Sequence, residues 1–253
     1  MQEEKIKRAR GIYLLPNLLT VGALFAGFFA IISATHGNFK VSAIAIFIAM
    51  LLDSLDGRIA RLTNTESEFG AQMDSMSDMV CFGITPALVL YLWCLSHLGK
   101  IGWLAAFIYT VCTALRLARF NAIDDPSDKR YFRGLPTPAA AGMIASMIWV
   151  FTKFHLHGIE WKHTIAVITV CLALLKVSVI PYRSFKDFDA RNKAPFLAIV
   201  ILALAFAFIA LDPPDVFFVL FSVFVISGPI MLVINFFRRN KTIEHSDDKQ
   251  NNH

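Results

Sequence analysis

The chain has 253 residues, 56% of them hydrophobic and only 17% charged, with a mean hydropathy of +0.57. Soluble domains are about half apolar and about a quarter charged, so an ordinary soluble fold is excluded and an all-α polytopic membrane protein is expected. The net charge of +5 does not call for a nucleic-acid partner: no basic run is interleaved with aromatics, and a cytoplasmic excess of Lys and Arg makes many inner-membrane proteins basic.

Residues 1–13 form a charged cytoplasmic segment in which Ile6, Ala9 and Arg10 recur at helical spacing. They read either as an interfacial helix resting on anionic lipid or as a solvated tail. No cleavable signal is evident, and the segment runs straight into an apolar stretch, as a retained anchor does. About eight transmembrane helices follow, near 14–35, 39–62, 70–96, 101–121, 135–154, 163–181, 195–211 and 216–237. Each approaches the roughly 20 residues that a helical span needs. The third is longer than a span requires and its first two turns are polar, so it can begin in the cytoplasm. Residues 14–237 make one membrane domain, and the polar residues 238–253 read as a disordered cytoplasmic tail.

Charge bias orients these spans. With the N-terminus inside, nineteen of the 24 Lys and Arg residues fall in inward segments and four in outward ones. Both termini are therefore expected in the cytoplasm, most naturally at a bacterial inner membrane. Lys176 lies within the sixth run, about a turn from its inner end. It reads as snorkelling to the interface, with an active-site role as the alternative. Cys81, Cys94, Cys112 and Cys171 form no CxxC pair and read as reduced packing residues. His36, His97, His155, His157 and His163 fall in or near outer segments.

Four aspartates stand out at the inner face. Asp53 and Asp56 are three apart on the second span, and Asp74 and Asp78 are four apart on the third. Such spacings share a helix face, and the short polar connection TNTESEF lets the two helices be antiparallel neighbours. Four carboxylates in a partly dry site repel one another and lose hydration. A divalent cation resolves both problems. An all-oxygen set suits Mg²⁺ or Mn²⁺ rather than zinc, and two ions could clamp a phosphoryl displacement. Gly57, Ala60 and Gly70 keep the same faces thin. That either admits a phosphate or serves helix packing. Arg61 either holds a phosphate or marks the cytoplasmic boundary.

The spacing Asp53-x2-Asp56-Gly57-x2-Ala60-Arg61-x8-Gly70-x3-Asp74-x3-Asp78 fills every position of a signature and resembles the CDP-alcohol phosphotransferase family. The resemblance implies an integral membrane enzyme that moves a phosphatidyl or similar group from a CDP-linked donor to an alcohol, releasing CMP. It also implies divalent metal and a homodimer. Carried over by position, Asp53, Asp56 and Asp74 would bind metal. Asp78 would be the general base and could also touch metal, while Gly57, Ala60 and Gly70 would line the nucleotide site. Pro16-Asn17-Leu18-Leu19-Thr20 is similar to the family's opening PN-x-x-T segment. Asn17 and Thr20 would then touch the nucleotide; alternatively a helix starts there with a hydroxyl bonded to its own backbone.

Three further stretches resemble the phosphatidylserine synthase branch of that family: residues 114–121, residues 132–142 and residues 181–186. The branch implies CDP-diacylglycerol as donor and L-serine as acceptor. Arg116 and Arg119 could fork onto the serine carboxylate or the donor diphosphate, and Asn121 could accept from the ammonium. Arg133, Arg183 and Lys186 add positive charge at the same level, although arginines at span ends also anchor helices. Other acceptors, such as glycerol 3-phosphate or inositol phosphate, remain open. So do a proton or ion transporter and a non-catalytic scaffold, but a transport relay would thread carboxylates across the membrane, whereas these gather at one face.

Overall fold

A computed structural model describes the backbone of residues 2–63, 65, 67–122, 132–182 and 211–250, and the side chains of 15–63, 65, 67–122, 134–180, 182 and 211–232. Small residues set its first layer. Ala23, Ala26, Ala30 and Ala34 recur on one face of α1 (Gln2–Thr35), and Ser42, Ala45 and Ala49 on one face of α2 (Phe39–Thr63); all are buried. Side chains this small let two backbones approach closely inside a membrane, and α1 packs along α2. Continuing the α2 stripe in steps of four and three leads from Ala49 to Asp53 and Asp56. The seam that joins the helices thus runs into the carboxylates.

The next span is built from α3 (Glu68–Asp78), a π-helical turn (Met79–Ile84) and α4 (Thr85–Trp93). Ser67 caps α3: its backbone is extended, and its Oγ accepts the Gly70 N–H at 3.0 Å, satisfying one of the donors a helix start leaves open. The π turn begins at the residue after Asp78, and the Thr85 N–H reaches back five residues to Val80 O. Pro86 explains the widening. An α-helix would pair Phe82 O with the N–H of residue 86, which proline lacks, and the proline ring crowds that same carbonyl. Single π turns of this kind recur at functional sites.

Three more long helices and a central one complete the described bundle: α5 (Lys100–Asn121), α6 (Thr137–Lys153), α7 (Lys162–Val177) and α8 (Pro213–Gln250). α6 is buried almost all round from Thr137 to Ile148 and packs against α2 and α8, while α5 packs on α7. At the end of α7, β1 (Phe132–Arg133) pairs antiparallel with β2 (Pro181–Tyr182). Gly134 follows β1 with φ +87°. Its N–H donates to Ile180 O at 2.9 Å, and a Cβ there would lie 2.3 Å from Lys176 O. Only glycine fits such a close, left-handed position. Leu135 N–H then donates to Leu175 O, and the Tyr182 hydroxyl donates to Val225 O on α8.

Helices occupy seven of the eight expected runs, and the run near 195–211 lies almost wholly outside the described residues. Five described stretches are long and apolar enough to cross a membrane: Leu15–Thr35, Glu68–Trp93, Lys100–Asn121, Gly158–Val177 and Pro213–Leu232. The protein is a polytopic helical membrane protein. Its ends differ from the sequence reading. The segment 2–13 is continuous with the first span rather than a separate helix, and α8 continues to Gln250 where a disordered tail is expected after 237. Polar composition does not stop such extensions, because adding residues to an existing helix avoids the costly nucleation step.

Candidate active site

Asp53 and Asp56 lie in the last three turns of α2, and Asp74 and Asp78 in the second half of α3. One carboxylate oxygen from each of Asp53, Asp56 and Asp74 lies within 4.8 Å of the others. Asp78 stands beside them: its carboxyl is within hydrogen-bonding range of Asp53, and its Oδ1 is buried without a hydrogen-bond partner. α3 reaches this point chiefly by packing on α1 rather than flush against α2. The side chains of the two helices therefore meet at the carboxylates although the backbones make few contacts.

Thr20 on α1 closes one side. Its Oγ1 lies 2.7 Å from Asp56 Oδ2 and 3.1 Å from Pro16 O, and both Thr20 and Asp56 are 4% exposed. A hydroxyl has one proton to give, and the shorter contact is to the carboxylate. No helix starts here, since α1 runs unbroken from Gln2 through Pro16, but the Thr20 hydroxyl does reach its own backbone and also Asp56.

Beside the aspartates lies a cavity of about 510 Å³. Pro16, Asn17 and Thr20 line it from α1, and Asp56, Gly57, Ala60 and Arg61 from α2. Thr65, Ser67, Glu68, Gly70, Ala71 and Asp74 close it from the connection and α3. A Cβ built on Gly57 would meet nothing nearer than Arg61 Nη2 at 3.9 Å. Gly57 is therefore not needed for helix packing; the space its side chain would take is cavity. A Cβ on Gly70 would press on Ser67 Oγ at 3.1 Å and stand 3.5 Å from Asn17 Oδ1.

The basic residues separate. Arg116 on α5 is partly buried and within electrostatic range of Asp78, with its Nε buried and without a hydrogen-bond partner. Arg119, expected on the same face, is exposed. Asn121 is already engaged, its Nδ2 donating to Ser75 Oγ at 3.0 Å. Arg133 is described only as backbone in β1, opposite Pro181, and Arg183 and Lys186 lie outside the described residues. Lys176 corrects the snorkelling expectation. It is 1% exposed, and its Nζ donates to Thr113 Oγ1 at 2.7 Å rather than reaching an interface. Cys81, Cys94 and Cys112 are buried and free, and Cys171 is free and exposed.

The donor set suits a hard divalent cation. It is all oxygen, it comes from helices held by packing, and it includes a buried carboxylate oxygen with no other partner. Mg²⁺ and Mn²⁺ take such ligands, commonly together with substrate phosphates. Sequence reasoning missed Thr65, Ser67, Glu68, Ala71 and Ser75; a serine three residues before Gly70, at a helix start, is the one signal that could have marked the cap.

An oxygen-only carboxylate site shared by α2 and α3, opening on a glycine-walled cavity, is the arrangement that the signature spacing leads one to expect. The family description CDP-alcohol phosphatidyltransferase matches residues 13–180, and the chain belongs to that family. Within it, the chain is similar to proteins named CDP-diacylglycerol–serine O-phosphatidyltransferase. That of Helicobacter pylori strain J99 is 36% identical over 233 residues, covering 91% of this chain and 98% of that protein. That of Mycobacterium bovis is 34% identical over 215 residues, 82% of this chain and 74% of that protein. That of Bacillus subtilis strain 168 is 35% identical over 178 residues, 70% of this chain and 94% of that protein.

Proposed function

We propose that the protein transfers a phosphatidyl group from CDP-diacylglycerol to L-serine, giving phosphatidylserine and CMP. The observation that carries this reading is the convergence of Asp53, Asp56, Asp74 and Asp78 beside a cavity whose wall at Gly57 is open. The names of its relatives point to serine as the acceptor. Asp53, Asp56 and Asp74 hold divalent metal, two ions of Mg²⁺ or Mn²⁺, with Asp78 close enough to contribute. Bound there, the metal would offset the charge of the diphosphate and of the departing CMP.

The chain's own groups do the rest. Asn17, Thr20, Gly57, Ala60 and Gly70 make room for the cytidine nucleotide, and Arg61 faces its phosphates. Asp78 has a free buried oxygen, which a general base requires. It takes the proton of the serine hydroxyl as that oxygen attacks the lipid-linked phosphorus. The new O–P bond forms as the bond to CMP breaks, and CMP leaves with the electron pair. Arg116, within electrostatic range of Asp78, orients the serine carboxylate or the diphosphate. Arg119, Asn121, Arg133, Arg183 and Lys186 belong to the acceptor or phosphate side of this proposal. In the membrane we assign eight spans with both termini in the cytoplasm. The site then faces the cytoplasm at a bacterial inner membrane, and the protein works as a homodimer.

The test is an acceptor panel. Purified protein is given CDP-diacylglycerol with radiolabelled serine, glycerol 3-phosphate or inositol phosphate, with and without chelator. Labelled phosphatidylserine and stoichiometric CMP are expected only with metal. A lipid product from another alcohol and none from serine would reject the serine assignment while keeping the chemistry.

A further inference from the structure

Among the described residues, the most deeply buried basic side chain is Lys176. Ionisable residues inside membrane helices are costly to keep and commonly functional. This one is 1% exposed and has no carboxylate partner among the described residues; its Nζ donates to Thr113 Oγ1 at 2.7 Å and lies 3.0 Å from the centroid of the Tyr109 ring. Tyr109 and Thr113 are themselves fully buried, one turn apart on α5, with Thr113 Oγ1 donating to Tyr109 O at 2.9 Å.

Both residues bear on the π turn that follows Asp78. The Tyr109 hydroxyl donates to Phe82 O at 3.2 Å, the carbonyl that Pro86 deprives of its α-helical donor. Thr113 packs against Gly83, where an added Cβ would lie 3.1 Å from Thr113 Cγ2. On the opposite side the same segment is held to α1, by Cys81 Sγ on Ala23 O and Thr85 Oγ1 on Gly27 O. A widened turn has slack that a regular helix lacks, and it starts at the residue after the proposed base. We propose that Lys176 is a positioning residue. By clamping Thr113 and Tyr109 from α7 it fixes the π turn Met79–Ile84, and thereby the direction of the Asp78 carboxylate towards the acceptor.

The inference rests on the reading of Asp78 as general base, and one readout is independent of it. In full-length Lys176→Met, which keeps the stem and removes the amino group, amides of residues 79–85 exchange hydrogen faster while α1 and α2 stay unchanged. The turnover number falls about 10-fold to 100-fold, as loss of an outer-shell orienting contact does. KM for both substrates stays within about threefold, because substrate binding is not what was lost. Added to Asp78→Asn, the same change costs no further rate, since the two act through one carboxylate. Tyr109→Phe keeps the ring under the Lys176 Nζ and removes only the bond to Phe82 O, so it repeats the pattern more weakly even if Lys176→Met does not fold. Unaltered exchange over 79–85, wild-type turnover in folded Lys176→Met or Tyr109→Phe, or multiplicative losses with Asp78→Asn would overturn it. Failure of the unmodified protein to form phosphatidylserine would instead reject the activity, while the exchange data would still decide whether Lys176 holds the turn.

Discussion

Thr20→Val removes a single hydroxyl and keeps the shape of the side chain. In the folded protein that hydroxyl lies 2.7 Å from Asp56 Oδ2, in surroundings where both residues are 4% exposed. The valine methyl fills the place of the hydroxyl, so no donor replaces it there. A hydrogen bond to a charged group contributes about 1.5–3 kcal/mol, and every 1.4 kcal/mol is about tenfold in an equilibrium. Part of the interaction is shared with Pro16 O at 3.1 Å, which favours the lower half of that range. The freed carboxylate rotates, and the metal loses an oriented ligand. The half-saturating Mn²⁺ concentration for activity should therefore rise about 10-fold, and at most about 100-fold, the usual cost of losing an outer-shell partner. Saturating Mn²⁺ should recover most of the rate, because the carboxylate itself remains. The assay is phosphatidylserine formation against Mn²⁺ concentration at fixed CDP-diacylglycerol and serine. An unchanged metal requirement with a raised KM for CDP-diacylglycerol would refute this reasoning and make Thr20 a nucleotide contact instead.

Asp78→Asn should lower the turnover number by about 10²–10⁴ even at saturating Mn²⁺, the usual cost of removing a general base; full recovery of the rate by added Mn²⁺ would make Asp78 a metal ligand only. Gly57→Val puts its new atoms into the cavity, since nothing lies within 3.9 Å of the Cβ position. KM for CDP-diacylglycerol should rise with the unfolding midpoint unchanged; a fall in that midpoint without a KM effect would return Gly57 to a packing role. Gly134→Ala meets both a φ of +87° and a carbonyl 2.3 Å from the new Cβ. It should destabilise the protein by about 1–3 kcal/mol, read by thermal unfolding in detergent. Treatment with EDTA should abolish transfer, and Mg²⁺ or Mn²⁺ but not Zn²⁺ should restore it, given a ligand set without His or Cys.

The carboxylates were legible because their spacing is a property of one helix at a time: three and four residues place side chains on a common face whatever surrounds them. The spans were legible for a similar reason, as length and apolarity are local. What depended on a second helix was not. Lys176 sits about a turn from the end of its apolar run, where a lysine ordinarily reaches the interface. Its burial is decided by Tyr109 and Thr113, which lie more than sixty residues away in sequence. Arg116 and Arg119 look equivalent at a spacing of three, yet only the first is partly buried, beside Asp78, while the second is exposed. The π turn carries no compositional mark of its own; Pro86 could have hinted at it, but proline early in a helix is ordinary. The extension of α8 to Gln250 is not legible for the converse reason: polar composition reads as disorder even in a segment that continues a formed helix.

The alanine seam between α1 and α2 has a consequence for the economy of turnover. Alanine has no side-chain rotamers to freeze, so the distance between Thr20 and Asp56 is governed by two backbones in contact rather than by mobile side chains. The cost of bringing four negative groups together is met once, when the chain assembles in the bilayer, and not again in each catalytic cycle. A site built this way starts every round already shaped for charge that the reaction has yet to develop, which is where electrostatic preorganisation is most effective. It also predicts where the enzyme is least tolerant of change: a larger residue at Ala23 or Ala49 would touch no substrate, yet would pry apart the frame that the carboxylates hang from.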